Sequence, residues 1–161
     1  MIALQTYTSL AYIPAEDVLI RLLAAALCGF LLGYDREVHN KDFGLRTHIL
    51  LSIGTASFVL ILMEMAHNYQ PRQIEIDPAR VIQGVIIGIG FLAAGSILHA
   101  DEKIKGVTTS AGVWVIGGIG LACGLGYYVH AVIITALVLF IMVALHPLDS
   151  LIKNIHGKKN N

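Results

Sequence analysis

Five long apolar stretches, separated by short polar segments, run through this sequence of 161 residues. Because a hydrocarbon layer about 30 Å thick is crossed by roughly 20 helical residues, stretches of this length predict membrane-spanning helices. They cover residues 18–34, 47–66, 81–98, 107–123 and 128–145, and the last stops at His146 and Pro147. The composition, 56% hydrophobic and 14% charged, agrees with a membrane environment. The sequence therefore predicts an all-α membrane protein, a bundle of about five transmembrane helices.

Lysine and arginine predict the orientation of this bundle, because positive side chains in short loops stay on the cytoplasmic side. Those between helices one and two, between helices three and four, and in the tail are Arg36, Lys41, Arg46, Lys103, Lys105, Lys153, Lys158 and Lys159. The opposite side has Arg72 and Arg80. We therefore expect an extracytoplasmic N-terminal segment at 1–17, a transmembrane domain at 18–146 and a short cytoplasmic tail at 147–161.

The charge balance and the motifs exclude several classes of function. Eleven basic and eleven acidic residues give a formal net charge of zero, which offers nucleic acid no electrostatic footprint. The sequence contains no phosphate-binding loop, serine nucleophile motif or cysteine–histidine arrangement. It therefore predicts neither an enzyme nor a required cofactor, and the lipid bilayer is the partner that the composition implies.

Pairs of glycines at G-x-x-x-G spacing recur in three predicted helices. They are Gly29 and Gly33, Gly84 and Gly88, and Gly120 and Gly124. Since this spacing places both glycines on one helix face, we expect close contacts between helices there. The run 84–96, which also holds Gly90 and Gly95, has an alternative interpretation: it bends or opens so that backbone carbonyls line a cavity.

Arg21 lies one turn inside the first helix, where a charge needs a partner or water. It shares a helical stripe with Ala25, Cys28, Leu32 and Asp35, so this face is expected to point into the bundle. Snorkelling of the arginine to the outer interface is the alternative.

Charged residues also precede the third apolar stretch, on the outer side. Asp77 followed by Pro78 is typical of a helix cap and first helical residue. An entry vestibule in which Asp77 and Arg80 join Glu64 and Glu75 is the alternative.

Polar residues gather at three cytoplasmic helix ends. They are Asp35, Arg36 and Glu37 in helix one, Arg46, Thr47 and His48 in helix two, and Thr108 and Thr109 in helix four. Carboxylate and hydroxyl oxygens suit a hard cation such as Mg²⁺, with Asp35 and Glu37 as metal ligands. Alternatively, Arg36 and Arg46 neutralise these acids in a buried ion network, which His48 bridges or through which it senses pH. Both interpretations stay open.

At these motifs the chain resembles the MgtC/SapB family of bacterial inner-membrane proteins. The resemblance rests on RLLAAALCGFLLGYDRE at 21–37, GLRTHILLSIGTASF at 44–58, DPARVIQGVIIGIGFLAAGSIL at 77–98 and KGVTTSAGVWVIGGIGLACG at 105–124. Family members usually have Glu-Arg-Glu where this chain has Asp35-Arg36-Glu37, and glycine in place of Ala93. The first change keeps the charge, and the second weakens the argument for an opened backbone.

The resemblance implies a multi-pass protein of the bacterial inner membrane that is tied to magnesium limitation. For one member of the family, the implied role also includes virulence and restraint of the ATP synthase. Long members add a cytoplasmic ACT-like domain, so this sequence is expected to be a short member without it.

Two functions follow from the residues and the resemblance together. The first is binding or transport of a divalent cation, most simply Mg²⁺, at a cytoplasm-facing site of Asp35, Glu37 and the two threonines, ordered by Arg36 and Arg46. The alternative is a non-transporting regulator whose glycine-rich faces dock another membrane complex such as the ATP synthase. A homodimer is expected under either function, because the helices have small-residue faces to spare.

Overall fold

The computed structural model describes the backbone of residues 12–69, 77–100 and 103–157, and the side chains of residues 12–68, 77–97 and 106–145. Within these ranges the chain forms five helices and one two-stranded hairpin. The helices are α1 Ala15–Val38, α2 Leu45–Tyr69, α3 Pro78–Ala94, α4 Val107–Gly124 and α5 Tyr128–Gly157. The strands are β1 Leu98–Ala100 and β2 Lys103–Lys105. The predicted set of five helices is confirmed.

Three helices are long and apolar enough to cross a membrane, judged by length and composition over the described residues. These spans are Leu45–Asn68 in α2, Val107–Gly124 in α4 and Tyr128–Leu145 in α5. Helix α3 is apolar but has 17 residues, and α1 has 24 residues with charged side chains in its first and last turns. The structure is therefore consistent with a membrane bundle, whereas five crossings and the orientation of the termini stay predictions.

Helix α4 lies at the centre of the bundle and contacts each of the other four helices. Of its span, 56% is buried inside the protein, compared with 11% of the α5 span. The core between α1, α2 and α4 includes Ala25, Leu32, Ala56, Ile116 and Ile119. Helix α5 covers one side of α1 and α4 and leaves most of its own apolar surface exposed.

Two of the glycine pairs lie where helices touch. They are Gly29 and Gly33 on α1, and Gly120 and Gly124 on α4, and all four face α2. A Cβ on Gly29 would lie 2.8 Å from the carbonyl oxygen of His48, and a Cβ on Gly124 would lie 2.8 Å from that of Ala56. Because the obstructing atoms are backbone, these contacts require glycine.

The third glycine pair makes no close contact with another helix. Nothing lies within 4 Å of a Cβ placed on Gly84 or Gly88, because α3 packs against α4 through Ile89 and Ala93 instead. The predicted close contact of this pair is therefore absent within the described chain. Helix α3 is also continuous to Ala94, so the run 84–96 does not open along the helix.

Two predicted helix ends are wrong. Helix α3 ends at Ala94 rather than at residue 98. Gly95 caps the helix, and a hairpin follows. Three-residue strands are too short for an alternating pattern to predict them. Helix α5 passes through Pro147 to Gly157. One proline removes a single backbone donor, and apolar residues at helical spacing continue beyond it.

Candidate functional site

A polar cleft of about 580 Å³ opens at one end of the bundle, where α1 ends and α4 begins. We call it the Arg36 cleft and this end of the bundle the Arg36 end, and we call the opposite end the Arg21 end. The polar lining of the Arg36 cleft includes Asp35, Arg36, Asn40, Asp42, Thr108 and Thr109, and α5 forms the apolar wall of the cleft. The structure thus brings together four of the predicted polar residues, which come from two of the three helix ends.

The turn that closes α1 carries the rim of this cleft. The amide of Asn40 donates to the Glu37 carbonyl at 3.1 Å, and the amide of Lys41 donates to the Arg36 carbonyl at 3.0 Å. This pair of bonds closes a helix when the residue after the cap is left-handed. Asn40 has a φ of 50°, which asparagine tolerates better than most residues. The turn returns Lys41 and Asp42 to the cleft.

The start of α4 forms the opposite wall. Gly106 precedes the helix with a φ of 87°, and a Cβ there would collide with the carbonyl oxygen of Ser96. No described side chain caps this helix end. The amides of Val107, Thr108 and Thr109 therefore lack a capping side chain, and they belong to the positive end of the helix dipole.

Arg36 forms the floor of the cleft and is 5% exposed. Its Nη2 lies 3.5 Å from the Met142 sulfur, and its Nε has no hydrogen-bond partner among the described residues. A Cβ on Gly112 would lie 3.3 Å from Nη2, so a glycine on α4 makes room for the guanidinium. No described carboxylate forms an ion pair with it. Asp35 shares the cleft but forms no direct ion pair with Arg36, and a buried cation without such a pair is costly, so the floor of the cleft favours an anion or water.

Asp35 presents its carboxylate to the cleft with 16% of the side chain exposed. One carboxylate oxygen lies 3.4 Å from Nδ1 of His39, and that ring nitrogen also lies 2.7 Å from the Asp35 carbonyl oxygen. Asp42 is exposed on the rim. With Lys41 and Arg36, the cleft has two carboxylates and two fixed cations, a formal charge of zero when His39 is neutral.

Glu37 does not share this cleft. Its carboxylate accepts the amide of Leu45 at 3.0 Å, which satisfies a free donor in the first turn of α2. In one of the two interpretations of the sequence, Asp35 and Glu37 are metal ligands together. The structure instead directs Glu37 to α2 and Asp35 to the cleft. Positions two apart on a helix face different directions, which accounts for the difference. The described residues hold no group of three or more His, Cys, Asp or Glu side chains placed to hold a metal.

The start of α2 lies outside the cleft. Arg46 is exposed and makes no ion pair with a described residue, so the predicted network of acids ordered by Arg46 is not formed. Thr47 is half-buried. His48 is fully buried against Gly33 of α1, with Nδ1 3.2 Å from the Gly44 carbonyl oxygen. His48 therefore packs between α1 and α2 rather than lining the cleft.

Arg21 marks the other end of the bundle and points to the end of α4. Its Nη1 donates to the carbonyl oxygen of Gly124 at 2.8 Å and lies 3.4 Å from the Met63 sulfur. The last carbonyls of α4 lack intrahelical partners and carry the negative end of the helix dipole. Arg21 therefore supplies the cationic cap of the central helix.

Replacing Arg21 by methionine should lower the free energy of unfolding by about 1.5–3 kcal/mol, the range for a hydrogen bond to a charged group. The measurement is thermal unfolding of the purified protein in detergent. The matched control is Arg80→Met, because Arg80 pairs at 3.6 Å with Asp77 while 86% of its side chain is exposed. An exposed pair contributes little, so equal losses for the two variants would contradict the capping role.

The remaining outer charges have local roles. Asp77 caps α3 by accepting the amide of Ala79 at 2.9 Å. Glu64 lies inside α2, not in a loop, and accepts the amides of Tyr12 and Ile13 at 3.1 and 2.8 Å. Glu75, the other residue of the predicted vestibule, lies outside the described residues.

A second cavity of about 580 Å³ lies between α2 and α3 and is almost entirely apolar. Gly54, Gly84 and Gly88 line it, and none of them has a neighbour within 4 Å of a Cβ position. The unpaired glycines of α3 therefore border a groove on the side of the bundle.

The sequence analysis missed three parts of the Arg36 cleft: Asn40, Asp42 and Met142. A signal for the first two was present, since Asn-Lys-Asp after a helical stretch is typical of a turn that reverses the chain. Met142 lies inside an apolar stretch of α5, where nothing in the sequence distinguishes the face that contacts Arg36.

Comparison with known proteins gives one consistent result. The model of the MgtC family matches residues 22–151. Protein SapB of Bacillus subtilis is 35% identical over 86% of this chain and 60% of its own length. YhiD of Escherichia coli K12, named as a candidate magnesium transporter, is 33% identical over 87% of this chain and 65% of its own length. Protein MgtC of Salmonella typhimurium is 36% identical over 75% of this chain and 49% of its own length.

The chain thus spans less than two thirds of the length of each of these relatives. The matched family region runs from residue 22 in α1 to residue 151 in α5. It therefore includes every residue of the Arg36 cleft. No solved structure matches the chain.

Proposed function

The chain belongs to the MgtC family, and from that premise we propose that it serves magnesium homeostasis by binding hydrated Mg²⁺ in the Arg36 cleft. The observation that carries the proposal is the pair of carboxylates, Asp35 and Asp42, at one polar cleft of an otherwise apolar bundle. A relative named as a candidate magnesium transporter supports the choice of cation.

The donor set favours a hydrated ion over a dehydrated one. Mg²⁺ prefers oxygen ligands at octahedral geometry and keeps several waters when one or two carboxylates hold it. Asp35 and Asp42 supply carboxylate oxygens, and Thr108 supplies a hydroxyl. Because the described residues hold no larger group of metal ligands, contact through coordinated water is the arrangement that suits this cleft.

The size of the cleft agrees with this state of the ion. A water molecule occupies about 30 Å³ in the liquid, so six coordinated waters need roughly 180 Å³. The cleft volume of about 580 Å³ accommodates them with room to spare. Its opening at a helix end leaves it accessible from the aqueous side.

The Arg36 end faces the cytoplasm in this proposal, in a multi-pass protein of the bacterial inner membrane. Arg36, Lys41 and Arg46 lie at this end, and positive side chains near helix ends favour the cytoplasmic side. The bound cation is then cytoplasmic Mg²⁺, which the protein senses or passes on.

Mg²⁺ should raise the melting temperature of the detergent-purified protein. The double variant Asp35→Asn plus Asp42→Asn should lower Mg²⁺ affinity at least about tenfold, because two charged contacts are lost. Calorimetric titration of Mg²⁺ measures the affinity. Proteoliposomes that contain a Mg²⁺-sensitive dye test in parallel whether binding leads to transport.

Two matched controls accompany this titration. Glu16→Gln removes an exposed carboxylate at the Arg21 end and should leave Mg²⁺ affinity unchanged. Glu37→Gln should also leave affinity unchanged, because that carboxylate caps α2. Unchanged affinity in the Asp35 and Asp42 double variant, or a loss in Glu37→Gln equal to that of the double variant, would overturn the assignment.

A further inference from the structure

The floor of the Arg36 cleft has the chemistry of an anion site. Arg36 is 5% exposed and is one of the residues that line the cleft, and its buried Nε has no hydrogen-bond partner among the described residues. Arginine guanidinium and phosphate form strong, charge-assisted hydrogen bonds. Removing an arginine from water without a direct ion pair is costly, so an anion at this position would supply the ion-pair partner that the described residues do not.

The start of α4 adds a second, independent contribution. This helix has 18 residues, and its N-terminus has no capping side chain among the residues that the structure describes. Uncapped first-turn amides and the positive end of the helix dipole bind phosphate groups in many proteins. Here they line the same cleft as Arg36, together with the hydroxyls of Thr108 and Thr109. Gly112 lies one turn of α4 beyond Thr108 and contacts the guanidinium, so the two anion-binding groups lie about one turn apart.

The rim of the cleft opposes a lone anion. Asp35 and Asp42 lie at the same cleft and would repel phosphate, whereas Arg36 and Lys41 would repel a lone Mg²⁺. The formal charge of these four residues is zero. Such a cleft attracts each free ion less strongly than it attracts a cation and an anion bound side by side, because its charges of opposite sign are separated.

We infer that the Arg36 cleft takes Mg²⁺ together with a phosphate-bearing anion, the anion at Arg36 and the first turn of α4, and the hydrated cation at Asp35 and Asp42. The inference rests on the proposed function and names the ligand of the same cleft. Mg²⁺ bridges the anion and the carboxylates, so each ion increases the affinity for the other. By linkage, the two increases are equal.

The test is equilibrium dialysis of ³²P-labelled inorganic phosphate against the full chain in dodecyl maltoside, without lipid, with and without Mg²⁺. Mg²⁺ should raise phosphate affinity at least about tenfold, the upper part of the usual coupling range. Arg36→Met should reduce phosphate binding at least about tenfold, whereas the affinity for Mg²⁺ alone should not fall, because the variant removes a cation that repels Mg²⁺. Methionine replaces an unpaired buried charge by an apolar chain, so this variant should fold.

Arg46→Met is the matched control, because Arg46 is an exposed arginine at the same end that does not line the cleft. It should bind phosphate like the wild type. Lys41→Met is a second variant on the rim, remote from the buried floor, and should weaken phosphate binding by a smaller factor. Equal phosphate binding by wild type and Arg36→Met, or by Arg36→Met and Arg46→Met, would overturn the inference.

The same titrations separate this inference from the proposed function. If Mg²⁺ binds through the two aspartates but phosphate neither binds nor changes Mg²⁺ affinity, the anion site is wrong and the proposed function stands. If phosphate binds at Arg36 with no response to Mg²⁺ or to Asp35→Asn, the joint site is wrong, and the missing response also counts against Mg²⁺ binding there.

The phosphate group can belong to a soluble anion or to a lipid headgroup, and a competition arm identifies the source. Phosphatidic acid added to the detergent displaces the labelled phosphate if a headgroup fits the cleft. Displacement confirms a phosphate site open to lipid, and retention of the label confirms a site for soluble phosphate. Either outcome requires Arg36, and loss of the dependence on Arg36 in both arms would contradict the site.

Discussion

Alanine at position 106 should destabilise the protein by about 2–5 kcal/mol, which combines a left-handed backbone cost of about 1–2 kcal/mol with an overpacking cost of about 1–3 kcal/mol. Gly106 has a φ of 87°, and its Cβ would collide with the carbonyl oxygen of Ser96. Relief of that collision moves the start of α4, so Mg²⁺ affinity should fall together with stability. Thermal unfolding in detergent and calorimetric titration of Mg²⁺ measure the two effects.

The matched control for this variant is Gly126→Ala. Gly126 has a φ of 82°, so it shares the left-handed backbone cost, but the nearest atoms to its Cβ belong to the Arg21 side chain at 3.5 Å. Gly126 also lies at the Arg21 end, remote from the cleft. Gly126→Ala should therefore show the smaller loss of stability and unchanged Mg²⁺ affinity. If the two variants lose equal stability, the contact between Gly106 and Ser96 does not contribute as described.

Alanine at position 29 should destabilise the bundle by at least about 2 kcal/mol, despite the gain of about 1 kcal/mol that alanine brings to a helix. Its Cβ would lie 2.8 Å from the carbonyl oxygen of His48 and 2.9 Å from the Cα of Ile49, and both atoms are backbone. Backbone atoms cannot change rotamer, so α1 and α2 must separate. Loss of monodisperse protein in size-exclusion chromatography and a lower melting temperature are the expected results.

Gly88→Ala is the same chemical change, but we expect it to change stability in the opposite direction. Nothing lies within 4 Å of a Cβ on Gly88, so only the gain in helix propensity remains. The two variants should therefore change stability in opposite directions. Destabilisation of Gly88→Ala to the level of Gly29→Ala would show that the α3 glycines also make a close contact, for instance with a second copy of the chain.

The five helices could be predicted from the sequence because long apolar stretches in lipid have few alternatives to helix. The close packing at Gly29 and at Gly124 followed from spacing alone. The same spacing at Gly84 and Gly88 did not predict a contact, because spacing identifies a face and cannot say which helix covers it. The hairpin and the extension of α5 beyond Pro147 depended on local backbone conditions with no clear sequence pattern.

The cleft was predicted in part. Convergence of Asp35, Arg36 and the threonines followed from the order of the helices along the chain. Two features decide which carboxylate joins Asp35 in the cleft. The rotation of α1 about its axis directs Glu37 to the amide of Leu45, and the turn after α1 returns Asp42 to the cleft. Helical spacing indicates the rotation of α1 only weakly. Asn-Lys-Asp after a helical stretch is typical of a turn, but this signal does not say which surface Asp42 reaches.

Affinity cleavage by iron tests the central claim most directly. Fe²⁺ in place of Mg²⁺ reduces added hydrogen peroxide to hydroxide and a hydroxyl radical, which cuts the backbone near the bound ion. The account predicts fragments from cleavage within residues 35–42 and 106–109, suppressed by excess Mg²⁺ and lost in the Asp35→Asn plus Asp42→Asn variant. Cleavage near Glu64 and Asp77 at the Arg21 end, with no Mg²⁺-sensitive cut at the Arg36 cleft, would contradict it.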